Sequence, residues 1–373
     1  MNADLFGIYI HVPFCRRKCV YCNFYFELEK PDTDFCKLIL EEFEFRKNNF
    51  PSKVHTLYFG GGTPSLLDYK SIQTLIDNLA PRAIEVTLEI NPEDATIEYL
   101  DNLTLTKINR LSFGVQSFED HILKYLGRKH RSEYAKRTII QAQKIGYRNI
   151  SIDLIGGISI ENIFQSFKWL ADNSINHISA YLLTVEPETN LEKLILKGKR
   201  LGICEDEQTS AYINFQRQLT KLGFNQYEIS NYAIPGFESI HNRIYWSKGS
   251  YLGLGPGAHS MRIDENGAVI RRKNIDNFKI WKRNPKFAPY SEEILSPLCG
   301  LLESLAFGLR DLKSGINLID LANKYKHQIP DKFGVCIEKF KKKNWIKTNS
   351  NHYLTRLGSR FADTVARDIF NLE

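Results

Sequence analysis

The stretch Tyr9-Ile10-His11-Val12-Pro13-Phe14-Cys15-Arg16-Arg17-Lys18-Cys19-Val20-Tyr21-Cys22-Asn23-Phe24 sets three cysteines in a Cys-x3-Cys-x2-Cys run. The apolar residues just before it, Ile8 to Val12, read as a strand, so the cysteines fall on the loop at its C-terminal end. A cubane iron–sulfur cluster normally takes four thiolates; three on one loop leave one iron open to a small molecule. Zinc is the competing reading, but a closed structural zinc site needs four ligands, usually as two spaced pairs. The bland alternative is three incidental cysteines. Three of the chain's seven cysteines within eight residues weigh against it.

Outward from this loop, short apolar strands alternate with longer helical periods. Apolar Phe35, Leu38, Ile39 and Phe43 repeat at helical spacing over about Asp34 to Lys47. Thr56–Phe59 is a second strand and ends in Gly60-Gly61-Gly62-Thr63-Pro64. The alternation continues through strands near Ile84–Ile90, Arg110–Val115, Asn149–Ile155 and His177–Thr184. Helices fall near Tyr69–Leu79, Ile97–Leu105, Tyr134–Ile145, Ile163–Asp172 and Thr209–Leu222, and Tyr227–Ser230 closes the run. At least six such units imply an α/β fold with a parallel sheet, open or closed as a barrel. Cys15, the glycine triplet, Glu89, Gln116 and Asp153 sit at the C-terminal ends of successive strands, which converge on one face in a parallel barrel.

Beyond Tyr232 the pattern changes. Ile234-Pro235-Gly236 breaks the period, and a glycine-dense loop, Tyr251-Leu252-Gly253-Leu254-Gly255-Pro256-Gly257-Ala258-His259-Ser260, follows. Residues 291–312 read as helical. A helix near Lys332–Lys342, a hairpin from Trp345 to Leu354 and a last amphipathic helix suggest a winged-helix-like module, serving packing more readily than DNA binding. We expect a core over 1–235, a connecting segment over 236–285 and a C-terminal helical domain over 286–373.

The 373 residues carry 43% hydrophobic and 25% charged side chains, ordinary for a soluble globular protein. No apolar run reaches membrane-span length, and the N-terminus lacks the basic and apolar parts of a signal peptide. A cytoplasmic protein with reduced thiols is expected, where a cysteine cluster means metal or redox chemistry. Cys36, Cys204, Cys299 and Cys336 are scattered and read as small core residues. A net charge of +7 decides nothing between an anionic partner and a lysine-rich exterior. The run Lys339, Lys341, Lys342 and Lys343 suits a helix C-terminus.

The Cys15/Cys19/Cys22 spacing, with Tyr21 between the last two, resembles the radical S-adenosylmethionine (SAM) superfamily. That resemblance implies a partial (β/α)6 TIM-type barrel and a [4Fe–4S] cluster whose open iron chelates the methionine end of SAM. Reduction then cleaves SAM to a radical. Phe59–Pro64, Leu88-Glu89-Ile90-Asn91-Pro92, Leu111–Phe118 and Ile152-Asp153-Leu154-Ile155 look like the coproporphyrinogen oxidase branch, which holds the anaerobic oxidase HemN and the heme chaperones HemW. By position the resemblance assigns Cys15, Cys19 and Cys22 to the cluster and Tyr9 and Tyr21 to the borders of SAM. It assigns Gly61, Gly62, Thr63 and Glu89 to the methionine end, and Gln116, Arg128, Asp153 and Thr184 to the remainder. For each alone, a capping or strand-end structural role stays open.

Two features separate the branches. The oxidases carry a further cysteine where this chain has Phe24, and an enclosing N-terminal segment; only fourteen residues precede Cys15 here. His241-Asn242-Arg243-Ile244-Tyr245-Trp246 is similar to the His-Asn-x-x-Tyr-Trp motif of the heme chaperones. A histidine is a usual axial ligand of heme iron, and Tyr245 and Trp246 could stack on the macrocycle. His241 and His259 are the two candidates, against the reading of His241 as a hydrogen-bonded core residue. Where relatives continue Tyr-Gly-Leu-Pro-Gly-Gln-Thr, this chain has Gly156-Gly157-Ile158-Ser159-Ile160-Glu161-Asn162. The expected function is heme binding and delivery to an acceptor protein, which could lie at a membrane, with an electron donor for the cluster and no nucleic acid. The runner-up is an oxygen-independent coproporphyrinogen oxidase.

Overall fold

The computed structural model describes residues 5–158, 163–200 and 202–372. The altered loop expected at Gly156–Asn162 is therefore described only to Ile158; Ser159–Asn162 lie outside the described residues.

Six strands follow the expected alternation: β1 (Gly7–Val12), β2 (Thr56–Gly61), β3 (Glu85–Ile90), β4 (Arg110–Gln116), β5 (Ile150–Gly156) and β6 (His177–Leu182). They pair in parallel in sequence order. The helices between them are α1 (Phe35–Arg46), α2 (Tyr69–Leu79), α3 (Ile97–Leu103), α4 (Asp120–Tyr125), α5 (Ser132–Ile145) and α6 (Ile163–Asp172). After β6 come α7 (Asn190–Leu196) and α8 (Glu205–Lys221). Burial explains the composition: Ile8, Ile10, Leu57, Phe59, Leu88, Leu111, Phe113 and Ile152 are fully enclosed, as strands covered on both faces must be. Capping explains helix starts. Asp68 receives the Lys70 and Ser71 amides at α2, and Thr96 receives the Tyr99 amide at α3.

The segment Tyr227–Ser230 carries no regular element and bends at residues 228–230. The flanking pairs β7 (Asn225–Gln226) and β8 (Asn231–Ala233) lie antiparallel at the β6 edge. The segment expected to connect two domains is built into the sheet. After the short helix α9 (Ile240–Trp246), strand β9 (Tyr251–Leu254) pairs in parallel with the free side of β1. Strands β10 (His259–Ile263), β11 (Val269–Asn274) and β12 (Tyr290–Leu295) extend it antiparallel, making a sheet of twelve strands among the described residues. Helix α10 (Phe278–Arg283) buries Phe278 and Trp281 in the same core as β1 and α1.

The helical reading of residues 291–312 is corrected in its first part. Residues 290–295 are the edge strand β12, and the helix α11 (Pro297–Gly308) starts only after the Ser296 cap. Glu292 and Glu293 favour a helix locally, but pairing with β11 overrides that preference. Helices α12 (Leu318–Tyr325) and α13 (Asp331–Lys342), the hairpin β13 (Ile346–Thr348)–β14 (His352–Leu354) and α14 (Ala362–Phe370) enclose a second core around Leu301, Leu305, Phe340 and Val365. Among the described residues no helix is long and apolar enough to cross a membrane.

Candidate cofactor site

At the C-terminal ends of β1–β6 lies a cavity of about 570 Å³. Cys15, Cys19, Cys22, Tyr21, Gly61, Gly62, Thr63, Glu89, Gln116, Arg128, Asp153 and Thr184 all line it. Residues spread over 170 positions of chain meet there because the sheet order returns each strand end to one face.

The cysteine loop is fixed at its base. The Cys15 amide donates to the Glu27 carbonyl at 2.9 Å, and the Glu27 amide donates to Pro13 at 2.7 Å. Thr63 donates its hydroxyl to Cys15 Sγ, and Arg128 donates Nη1 to Cys19 Sγ, both at 3.4 Å. These donors favour thiolates, while burial pushes the Cys15 thiol up to about 11. Among the described residues no three His, Cys, Asp or Glu side chains converge on a single metal-ion position. Three thiols on one loop suit a cluster, in which each thiolate goes to its own iron, whereas a closed structural zinc site would need a fourth ligand. The donor set fits the cluster.

Gly61 and Gly62 do something beyond leaving room for a ligand. A Cβ on Gly62 would stand 2.8 Å from the Phe14 carbonyl and 2.9 Å from Pro13, and one on Gly61, at φ +108°, would meet the His11 ring at 2.8 Å. The glycines let β2 press directly on the cysteine loop.

The floor is polar. Tyr58 donates its hydroxyl to Glu89 at 2.9 Å, and Ser112 donates to Asp153 at 3.1 Å. Burial, then the nearby Asp153 charge, raises Glu89 to about 7; burial raises Asp153 as well. The fully buried Arg110 adds one positive charge beside them. Arg128 is also anchored to Asn91 Oδ1 at 2.7 Å and the Gly114 carbonyl at 2.8 Å. Gln116 sits at φ +70°, a conformation costly for a non-glycine residue, where the β4–β5 register shifts. A floor with two carboxylates for an ammonium and hydroxyl-bearing ligand, under an open cluster loop, fits SAM.

Not every expected residue reaches this wall. Tyr9 lies one layer behind it, stacked on Tyr58 at 6.0 Å with its hydroxyl 3.4 Å from His11 Nδ1. His241 is 1% exposed. Its Nδ1 is 2.7 Å from the Thr56 hydroxyl, its Nε2 is 2.8 Å from the Tyr245 hydroxyl, and its ring stacks behind Tyr58. Burial lowers its pKa to about 3. As placed, neither nitrogen is open to an iron, so the ligand assignment of His241 does not fit this geometry, and the core reading does. Trp246 turns the other way, into a small cavity against α11 and α12 that Arg243 and Asp311 share. His259 is exposed at the start of β10.

The wall holds residues to which the motifs assigned no role: Tyr58, Asn91, Arg110, Ser112, Ser179, Tyr181 and Asn242. All seven lie inside stretches quoted above, Asn91, Ser112 and Asn242 within the motifs themselves. The signal for Arg110 was a charged side chain opening an otherwise apolar strand.

A parallel sheet carrying a three-cysteine loop, a glycine-lined neighbour strand and a carboxylate floor defines a radical SAM protein, and the Radical SAM superfamily profile matches residues 9–194. Coproporphyrinogen III oxidase (HemN) from Escherichia coli has this fold. The TM-score is 0.78 at 18% identity, over 99% of this chain and 91% of that one. The heme chaperone HemW of Lactococcus lactis subsp. lactis (strain IL1403) is 32% identical over 341 residues, 87% of this chain and 86% of its own. That of Bacillus subtilis (strain 168) is 31% identical over 375 residues, 96% and 97%. This chain belongs to the HemW family.

Proposed function

We propose that this protein binds heme and passes it to an acceptor protein, while holding a [4Fe–4S] cluster on Cys15, Cys19 and Cys22 with SAM on its open iron. The observation that carries this reading is the near full-length similarity to proteins named heme chaperones. Phe24 supports it: 71% exposed at the cavity mouth, it stands where the oxidase resemblance calls for a further thiol. When bound and reduced, the cluster and SAM together supply radical chemistry. The chain's own part is to hold and orient. Gly61, Gly62, Thr63 and Glu89 would take the methionine end, and Gln116, Arg128, Asp153 and Thr184 the rest, with Tyr21 at the border. Thr63 and Arg128 would steady two of the thiolates by charge-assisted hydrogen bonds. Among the described residues no disulfide joins the cysteines, in keeping with a cytoplasmic protein whose cluster is reduced by an electron donor.

The test is a heme titration of anaerobically reconstituted protein, with and without SAM. We expect saturation at about one heme per chain, as for a single axial-ligand site. No Soret change on titration would sink the reading. Vinyl products from coproporphyrinogen III, SAM and a reductant would favour the oxidase instead.

A further inference from the structure

A reductant has to approach the cysteine loop without blocking the mouth of the cofactor cavity. Beside that loop lies a second, open groove of about 520 Å³. Glu93 belongs to the walls of both, and Arg17 of the cysteine loop pairs with it. The turn between α4 and α5 forms the base of the groove and is pressed on the cysteine loop. At Gly127 (φ +74°) an added Cβ would stand 3.1 Å from the Val20 side chain. Alternate residues of this turn then point opposite ways. Arg128 reaches inward, donating Nη2–H to the Gly114 carbonyl at 2.8 Å and Nη1–H to Cys19 Sγ at 3.4 Å. His130 also turns in, with Nε2 3.1 Å from the Val115 carbonyl. Lys129 and Arg131 are exposed, as is Arg137 farther along α5. One side chain, that of Arg128, therefore separates the backbone of the groove from a cluster thiol.

The charge of the groove is uneven. Lys129, Arg131 and Arg137 line it and make no ion pair among the described residues. Its two carboxylates are accounted for: Glu93 pairs with Arg17, and Glu133 lies in the first turn of α5, where the helix dipole favours it. Asp120 nearby accepts the Ser132 amide at 2.8 Å. Unpaired cations around a concave surface favour a partner rich in carboxylates, by steering its approach and fixing its orientation. The denser basic run, Lys339 to Lys343, differs on both counts. Lys339 and Lys341 hold Asp368 and Glu338, and their helix packs in the second core.

We propose that the groove of Lys129, Arg131 and Arg137 is the docking face for a small acidic protein that delivers single electrons to the cluster past Arg128. This rests on the cluster reading above and names the entry face and the charge of the partner. In the step the carrier is oxidised by one electron and the cluster is reduced by one. No bond forms or breaks, and no proton moves. Encounters of this kind need only a small interface, which suits an open charged groove better than a broad apolar patch.

The test follows cluster reduction by stopped-flow absorbance in the full-length, cluster- and SAM-loaded protein, with flavodoxin hydroquinone as the carrier. The groove variant is Lys129→Glu/Arg131→Glu/Arg137→Glu. A charge-matched control, Lys332→Glu/Lys342→Glu/Lys347→Glu, reverses exposed lysines of the C-terminal part. We expect the groove variant to slow reduction at least about tenfold at low salt and to flatten the salt dependence of the parent. The control should stay within about twofold of the parent. Arg137→Glu alone, the change farthest in sequence from Arg128, should slow flavodoxin at least about threefold with its cluster intact. Methyl viologen radical, small and cationic, should reduce every variant as it does the parent. A parent-like rate and salt dependence in the groove variant would overturn the assignment, and so would an equal loss in the control. So would a parent that the viologen reduces and flavodoxin does not. Loss of binding to phosphatidylserine vesicles in the groove variant, with the flavodoxin rate unchanged, would give the face to a membrane instead. A parent that carries no cluster would overturn the cluster reading itself, and this assignment with it.

Discussion

At the scale of single residues, Glu89 couples the cavity to pH. Burial beside Asp153 moves its titration from about 4.5 in a free chain to about 7 in the folded one. A raised carboxyl contributes stability below its unfolded pKa, and that contribution is lost as pH climbs to the folded value. In the ligand-free protein, stability should therefore fall from about pH 4.5 to about pH 7 through this group. The carboxylate that forms is the state that holds an ammonium, so SAM affinity should rise over the upper part of the same window. Glu89→Gln should flatten both profiles, measured by thermal unfolding between about pH 4 and pH 8 and by calorimetric titration between about pH 6 and pH 8. An unchanged SAM profile would remove Glu89 from the methionine end. Contiguous residues were legible in the sequence at this scale: Cys15, Cys19 and Cys22, or Gly61 to Thr63, lie on one loop or one strand end. Arg110 and Ser112 were not. Their place on the floor depends on which strands become neighbours, which no local spacing records.

At the scale of elements, α9 shows how one short helix is held in place. Its seven residues are too few to be stable alone, and the buried Glu85 on β3 accepts the backbone amides of Ile240 and His241 at 2.9 and 2.8 Å. Ser239 accepts the Asn242 amide in the same turn. A carboxylate is favoured at a helix N-terminus, and without it two buried donors lose their partner. Glu85→Ala should cost roughly 1–3 kcal/mol in denaturant unfolding, since it leaves those donors unmade. An unmoved midpoint would mean the cap is dispensable. The six strand–helix alternations were readable because apolar period and turn residues agreed with the tertiary pairing. Helix α9 and strand β12 were not, because a neighbour decides each: Glu85 caps one, and β11 recruits the other against the helical preference of its glutamates.

At the scale of the molecule, α9 also joins the core of the sheet to that of the C-terminal helices. His241 and Tyr245 pack toward the sheet, while Arg243 reaches Asp311 at 3.0 Å and Ser314 at 2.6 Å, both before the C-terminal helices α12–α14. Arg243 and Asp311 are both buried. Removing one partner strands the other, so Arg243→Ala should lower stability by about 3–5 kcal/mol in chemical denaturation. A shift within error would show that the pair does not link the cores. The change of pattern after Tyr232 led to the expectation of a C-terminal helical domain, but not of one sheet continued through β9–β12, because a parallel return to β1 skips over all of β2–β8. That continuation ends on β12, whose outer side has no neighbour in the sheet order among the described residues and whose first five residues are exposed. Such an edge is an open template for any other extended chain. Its central pair, Glu292 and Glu293, would face the same two charges in a centred antiparallel pairing with a second molecule. The edge thus carries its own deterrent to self-stacking, and a chain crowded on ribosomes or partly unfolded keeps that protection for as long as those two charges remain.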